Sequence, residues 1–200
     1  MTLRRYRPRR IRLRDGREVT LRAIVEADAP EIVQAFERLS NESRYLRFMQ
    51  HKKQLDPAAL ARGVHPQTGR EFAFVATIPA ADGIDIVGAT QYVRAEDNSP
   101  DACEFAITVA EDWRESGLAT KLLASLIRRA RGDGYRTMEG LVIAGNEPML
   151  ALARDLKFTV HPVPEDATVV RVQRTPKMTQ RCSERRFSPR SWSGMRASSH

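Results

Sequence analysis

The sequence predicts an α/β fold, a layered α+β arrangement in which helices flank a central mixed β-sheet. Three observations support this: an early hairpin pattern, one strongly periodic helix, and strand-length apolar segments between the predicted helices. Residues Ile11–Ala23 alternate apolar and polar side chains around Asp15-Gly16, a strong turn signal. The helix after Gly117 repeats apolar residues every four positions. Strands interleaved with helices favour layers over a helical bundle.

The first half of the chain adds helices and a second strand pair. Asp28 and Glu31 have the spacing of a capping box, so a helix is expected to begin there, with Ile32 and Phe36 on its apolar face. Further elements follow by their patterns: short helices near Ser43–Met49 and Pro57–Ala61, and strands Phe72–Ile78 and Ile86–Val93 joined by a Pro79–Asp85 turn region.

The second half alternates strands and helices. Phe105, Ile107 and Val109 place their side chains on one face of a predicted strand, and Asn146 is the predicted N-cap of a helix that carries Pro148 in its first turn. The predicted elements are a strand over Glu104–Val109, a helix from Gly117 to Gly132-Asp133-Gly134, a strand over Met138–Ala144, a helix from Asn146 through Leu156, and closing strands over Phe158–His161 and Ala167–Val172.

Composition suits one domain with a sizeable core, since 42% of 200 residues are hydrophobic. No segment approaches the roughly 18–20 apolar residues that a membrane span needs. The basic N-terminus has no apolar region behind it, unlike a secretory signal. Cys103 and Cys182 are the only cysteines, which argues against a disulfide scaffold. These features predict a cytoplasmic protein.

The formal net charge of +8 is concentrated at the two ends. Residues 1–14 carry seven arginines, and residues 175–200 carry five arginines and one lysine against one acid. We therefore expect a basic N-terminal segment with the first hairpin strand (1–16), a folded domain (17–174) and a disordered basic tail (175–200). Solvated ends are favoured over nucleic-acid contact, because no aromatic-interleaved groove accompanies the charge.

Arg114–Ala119 lies where a strand gives way to the main helix. Unpaired N–H groups and the helix dipole make that end attractive to anions, and Gly117 lets a phosphate approach the backbone. The Walker A pattern fails, because Lys121 follows Thr120 without the required glycine. A dinucleotide fingerprint also fails. A plain strand–helix turn remains the alternative.

The spacing of Arg114, Gly117 and Ala119 resembles the R-x-x-G-x-A/G loop of the GNAT N-acetyltransferases, and the order of elements from about Arg17 to Arg174 resembles the GNAT fold. The resemblance implies acetyl-CoA as co-substrate, with no metal. It implies a strand bulge that opens the sheet for the pantetheine arm. The implied cofactor-binding residues are Ile107, Thr108 and Val109 along the strand, the backbone amides of Glu115, Ser116, Gly117, Leu118, Ala119 and Thr120, and the charge of Arg114.

Glu104 is the candidate general base. A lysine amine has a pKa of roughly 10.4 and must lose a proton before it attacks a thioester. The string Glu104–Ile107 resembles the GNAT domain of bacterial protein lysine acetyltransferases that modify acyl-CoA synthetases, a subgroup whose matching glutamate is the base. The alternative is a charged strand end that faces water.

For several other residues the sequence supports less specific predictions. Asn146 is expected to cap its helix, and the resemblance adds contact with the cofactor arm. Ala153 stands where many relatives have the tyrosine acid, so the general acid is unassigned. Cys103 is expected to be a structural thiol. The stretch Ser43–Phe48 resembles the acceptor-site region of the subgroup, but a packed amphipathic helix is the favoured interpretation. The four histidines lack metal-ligand spacing.

The sequence therefore predicts an acetyltransferase that moves an acetyl group from acetyl-CoA directly to an amine, first of all a protein lysine. Two alternatives stay open: a small-molecule amine N-acetyltransferase, and a module that senses acyl-CoA or contacts nucleic acid without catalysis. Oligomeric state does not follow from the sequence.

Overall fold

The computed structural model describes residues 6–95 and 101–175, which form an eight-stranded mixed sheet with helices on both faces. The strand order is β1-β2-β3-β4-β5-β6-β8-β7. The strands are β1 Arg9–Arg12, β2 Glu18–Ala23, β3 Glu71–Ala80, β4 Gly83–Arg94, β5 Ala102–Val109, β6 Thr137–Ile143, β7 Thr159–Pro162 and β8 Val169–Arg174. The helices are α1 Ala29–Glu37, α2 Asn41–Phe48, α3 Pro57–Val64, α4 Leu118–Gly132 and α5 Glu147–Asp155.

The predicted fold class is confirmed, and so is the first hairpin. Ile11 pairs with Val19 across β1 and β2, and Gly16 adopts the left-handed conformation of the turn at φ +88°. The second strand pair is longer than predicted. Only Ala81 and Asp82 separate β3 from β4, because residues of the predicted turn region belong to the strands. Pro79 pairs with Ile84, and Ala80 pairs with Gly83.

Helix α4 packs its apolar side against the middle of the sheet. Leu122, Leu123 and Leu126 have no exposed surface. A Cβ built on Gly88 would come within 2.9 Å of Leu122, so glycine in β4 allows the helix to approach this closely. Apolar residues of α5, including Leu150, join the same core cluster. Phe105, Ile107 and Val109 pack against it, as the alternation in β5 predicts.

The predicted capping box at the start of α1 is wrong. Asp28 occupies the N-cap position but makes no side-chain cap bond to the helix. Its carboxylate instead accepts two bonds from Arg22 of β2, at 2.7 and 2.6 Å, and one from the Val25 amide. Glu31 turns away to accept bonds from Arg38 and the Ile86 amide. Charged and buried partners from the sheet thus outcompete the local helix cap.

The remaining helices follow the sequence closely. Asn146 caps α5 by accepting the Met149 amide at 3.2 Å, as predicted. Helix α3 extends to Val64, one turn beyond its expected end. Most of the predicted tail, 176–200, and residues 1–5 lie outside the described residues, and the domain boundaries stay a prediction. In the described ranges, no helix combines the length and apolar character of a membrane span.

Candidate active site

The central feature of the site is an opening between β5 and β6. These parallel strands pair only at Ala102–Thr137, Cys103–Met138 and Glu104–Glu139. Beyond that point β5 continues beside β4 as far as Val109, whereas β6 continues beside β8 as far as Ile143. The backbone edge of β5 that carries Ile107, Thr108 and Val109 is therefore open on the β6 side. Such an edge can form hydrogen bonds with an extended ligand.

The expected bulge in the strand before the loop is not present. The β4–β5 register is regular from Gly88–Val109 to Arg94–Cys103. The register shift lies one ladder away, between β3 and β4 at Ala76/Thr77. The opening instead arises because β6 follows its antiparallel partner β8 away from β5.

The predicted phosphate loop lies at the end of the open edge. Glu115 and Gly117 adopt positive φ angles of 59° and 87°, which fold the chain sharply into α4. Buried Ser116 fixes this turn: its hydroxyl donates to the Trp113 carbonyl at 2.6 Å and accepts the Leu118 amide at 3.2 Å. The loop conformation is therefore held by the protein itself.

These internal bonds separate the loop amides into two groups. The amides of Ser116 and Leu118 already donate to protein acceptors. The amides of Glu115, Gly117, Ala119 and Thr120 have no protein acceptor in the described residues, as expected near the start of a helix. This second group is the part of the loop that can bind an anion.

Two arginines lie near the loop, and their positions differ from the expectation. Arg114 points towards α2, where it donates to the Ser43 hydroxyl at 2.6 Å. Arg14, which the sequence placed in the basic N-terminal segment, donates to the Glu115 carbonyl at 3.4 Å. Its Nε would lie 3.0 Å from a Cβ built on Gly117. Arg14 is thus a cation beside the loop that sequence reasoning missed, because the hairpin brings it there from about 100 residues away.

Helix α2 is tied to this loop through Glu111. The Glu111 carboxylate accepts the Ser40 amide at 2.9 Å and the Ser43 hydroxyl at 2.6 Å. Hydrogen bonds from Ser40 and Ser43 hold the pKa of Glu111 at about 2, and the Arg114 charge adds to the effect. The network fixes α2 relative to the start of α4.

This pKa predicts a pH-dependent contribution to stability. Because the folded pKa lies below the ordinary value of 4.5, ionised Glu111 stabilises the protein fully above about pH 4.5 and loses that effect as pH falls towards 2. We expect the melting temperature of the wild type to exceed that of Glu111→Gln at pH 5–7, and the gap to shrink between pH 4.5 and 3. Thermal unfolding across this range measures it. Asp112→Asn, at the exposed neighbour, is the matched control, and a gap independent of pH would contradict the assignment.

Two carboxylates lie side by side where β5 and β6 part. Glu104 is exposed on β5, and its ladder partner Glu139 is buried on β6. Glu139 accepts a bond from Gln173 at 3.1 Å and pairs with Arg171 at 3.4 Å. The sequence analysis did not select Glu139, although a glutamate inside an apolar strand is a detectable signal.

Cys103 faces the opposite side of the sheet from Glu104. Its thiol is fully buried. Burial raises the pKa of Cys103 to about 12, and the charges of Glu139 and Glu104 reinforce this shift. A neutral thiol in the core is a poor nucleophile, so Cys103 has the structural role that the sequence indicates.

An apolar cavity of about 230 Å³ lies on the Glu104 face of the sheet, beneath α1, α2 and α3. Ala106 and Thr108 line it and share the face of Glu104 through the alternation of β5. Arg47 and Phe48 of α2 complete the wall. The cavity therefore adjoins the strand that carries the candidate base and has room for part of a small acceptor.

The structure brings most of the predicted site residues together. The open edge of β5 leads directly into the loop at Arg114–Thr120, and Asn146 follows the end of β6 on the other side of the opening. In the described ranges, no group of three or more potential ligands could hold a metal ion.

Comparisons with known proteins identify the family of the chain. A family model for the acetyltransferase (GNAT) domain matches residues 18–159. An acetyltransferase of Pseudomonas aeruginosa is 33% identical over 158 residues, which are 79% of this chain and 84% of that protein. The chain belongs to the GNAT family of acetyltransferases, and the family resemblance found in the sequence is confirmed.

Two solved structures illustrate the similarity. The GNAT domain of S. lividans PAT has a TM-score of 0.77 and 25% identity, over 84% of this chain and 96% of that one. A Salmonella typhimurium acetyltransferase, solved with its cofactor acetyl-CoA, has a TM-score of 0.63 and 21% identity. The match covers 78% of this chain and 93% of that one. The second likeness concerns the fold alone.

A third relative matches over a short region. The L-methionine sulfoximine/L-methionine sulfone acetyltransferase of Pseudomonas aeruginosa is 37% identical over 57 residues, which are 28% of this chain and 33% of that protein.

Proposed function

We propose that this protein transfers an acetyl group from acetyl-CoA directly to a primary amine. The observation that carries the proposal is the opening between β5 and β6, whose free backbone edge ends at the loop that begins α4. In this arrangement Ile107–Val109 pair with the pantetheine arm. The amides of Gly117, Ala119 and Thr120 bind the pyrophosphate, and Arg14 adds charge beside them.

Glu104 is the general base of the proposed reaction. It lies at the last paired position before the strands separate, on the face that carries the cavity. A carboxylate here can take the amine proton directly or through one water as the amine attacks the thioester. The side-chain oxygen of Asn146 accepts the capping bond from Met149. The side-chain NH₂ group of Asn146 can contact the pantetheine arm.

A protein lysine is the proposed acceptor. The resemblance of the Glu104–Ile107 string to the GNAT domain of bacterial protein lysine acetyltransferases supports it. A small-molecule amine is the second candidate. The apolar cavity beside Glu104 and the partial match to a methionine sulfoximine acetyltransferase favour it.

One labelling experiment separates the two candidates. The purified protein is incubated with acetyl-CoA labelled in the acetyl group and a bacterial lysate divided into protein and small-molecule fractions. We expect label on lysines of the protein fraction. Label found only in small amines would favour the second candidate, and an absence of enzyme-dependent label in both fractions would contradict acetyl transfer.

A further inference from the structure

Arg47 has an unusual position among the arginines of the structure. It follows Ser43 by one turn of α2 and lines the cavity together with Phe48, whose ring centroid lies 4.9 Å from its guanidinium carbon. Nearly all the other lining residues are apolar, including Ile32, Leu39, Leu55 and Leu60. A positive charge thus stands in the wall of an apolar cavity.

No acidic partner compensates this charge within residues 6–95 and 101–175. Two other arginines with largely buried side chains have one: Arg22 pairs with Asp28 and Arg129 with Asp133, both at 2.6 Å. Burial alone lowers the pKa of Arg47, to about 10, so the side chain stays charged at neutral pH. Arg47 is half-buried, and a partly desolvated charge without a counter-ion is unfavourable, so an anion that enters the cavity would relieve this cost.

The helix that carries Arg47 is fixed to the rest of the fold. Ser43, one turn earlier on the same helix face, is bound by Glu111 and Arg114 at 2.6 Å each. This network fixes α2 against the loop after β5, so the backbone of Arg47 has a defined position beside the cavity that its side chain lines. Its planar fork matches a carboxylate in two parallel hydrogen bonds.

We propose that Arg47 binds a carboxylate of the acceptor inside the cavity, so that the acceptor is an amine that also carries a carboxylate on an apolar framework. This rests on the proposed acetyl transfer and narrows its substrate class. Two kinds of acceptor could supply this carboxylate: a free amino acid, or a peptide with an acidic side chain beside the acceptor lysine.

The first test measures binding without chemistry. 4-Methylpentanoate and its neutral amide both lack the amine, and calorimetry compares their affinities in the presence of CoA. We expect the wild type to prefer the carboxylate by about 10- to 100-fold, the range of a charge-assisted pair. Arg47→Met should lose this preference, and Arg47→Lys should keep part of it. Arg62→Met, at an exposed position of α3, is the control and should behave as wild type.

The second test measures turnover and separates the two sources. Leucine is compared with leucinamide, and a blocked Lys-Glu peptide with its Lys-Gln counterpart, in wild type and Arg47→Met. Each substrate is compared between the two proteins, so that differences in amine pKa cancel. A selective loss of kcat/KM for leucine identifies a free amino acid, and a selective loss for Lys-Glu identifies the peptide source.

The outcomes distinguish the inference from the proposed function. Equal binding of acid and amide by the folded wild type would overturn the role of Arg47, even if amines are acetylated. An equal loss of turnover on charged and neutral acceptors would also overturn it, because a structural role predicts that result. Carboxylate binding that depends on Arg47, without transfer to any amine, would support the anion site and contradict acetyl transfer.

Discussion

Gly117→Glu is expected to abolish acetyl-CoA binding while the fold remains. A glutamate there would place a negative charge and a long side chain where the loop amides are proposed to bind the pyrophosphate. Affinity should fall by at least two orders of magnitude, or about 2.7 kcal/mol. Calorimetry measures the affinity, and thermal unfolding verifies the fold. S-Acetyl-pantetheine, which lacks the pyrophosphate, should serve wild type and variant almost equally as a donor.

Backbone strain must be separated from this effect. Gly117 has φ +87°, and a Cβ there would lie 3.0 Å from Nε of the flexible Arg14 side chain. Gly117→Asn is the matched control, because asparagine tolerates the left-handed region and adds no charge. Its affinity should remain well above that of the glutamate variant. Unchanged acetyl-CoA affinity in a folded Gly117→Glu protein would remove the loop from the cofactor site.

The elements that the sequence predicted well are those with local causes. The hairpin depends on the alternation around Asp15-Gly16, and α4 depends on the four-residue repeat that begins at Leu118. The Asn146 cap likewise involves bonds within three residues. Such patterns hold because neighbouring residues alone decide the hydrogen bonds and the buried face.

The features that sequence reasoning missed mostly have partners distant in the chain. Glu31 binds the Ile86 amide, 55 residues away, instead of completing a capping box, and Arg114 donates to Ser43, 71 residues away. In the sequence, Arg47 is an ordinary polar residue of an amphipathic helix. Its position in the cavity wall follows only from the packing of α2 over the sheet. The proximity of Glu139 to Glu104 depends on register, which no local pattern specifies.

Glu104→Gln is expected to reduce turnover by roughly two to four orders of magnitude, the usual scale of general-base catalysis. Glutamine keeps the size of the side chain but accepts no proton at neutral pH. The affinity for acetyl-CoA should hardly change, because the proposed cofactor contacts are backbone groups further along β5 and in the loop. A variant that lost both would indicate a distorted strand instead of a missing base.

The pH dependence makes the prediction specific. As pH rises towards the pKa of the acceptor amine, roughly 10.4 for lysine, the amine loses its proton without help. The ratio of wild-type to variant turnover should therefore shrink steadily with pH. The measurement is a pH–rate profile of both proteins on the identified acceptor, with acetyl-CoA saturating throughout.

Glu139→Gln is the control that decides between the two neighbouring carboxylates. Glu139 is buried and bound to Gln173 and Arg171, so its amide variant tests the effect of a lost charge beside Glu104 without removing the exposed carboxylate. We expect a loss of less than about tenfold there, with a pH profile parallel to wild type. If Glu139→Gln instead gives the large, pH-dependent loss, Glu139 is the base. If the Glu104→Gln profile coincides with wild type, Glu104 is a structural strand end and the amine loses its proton by another route.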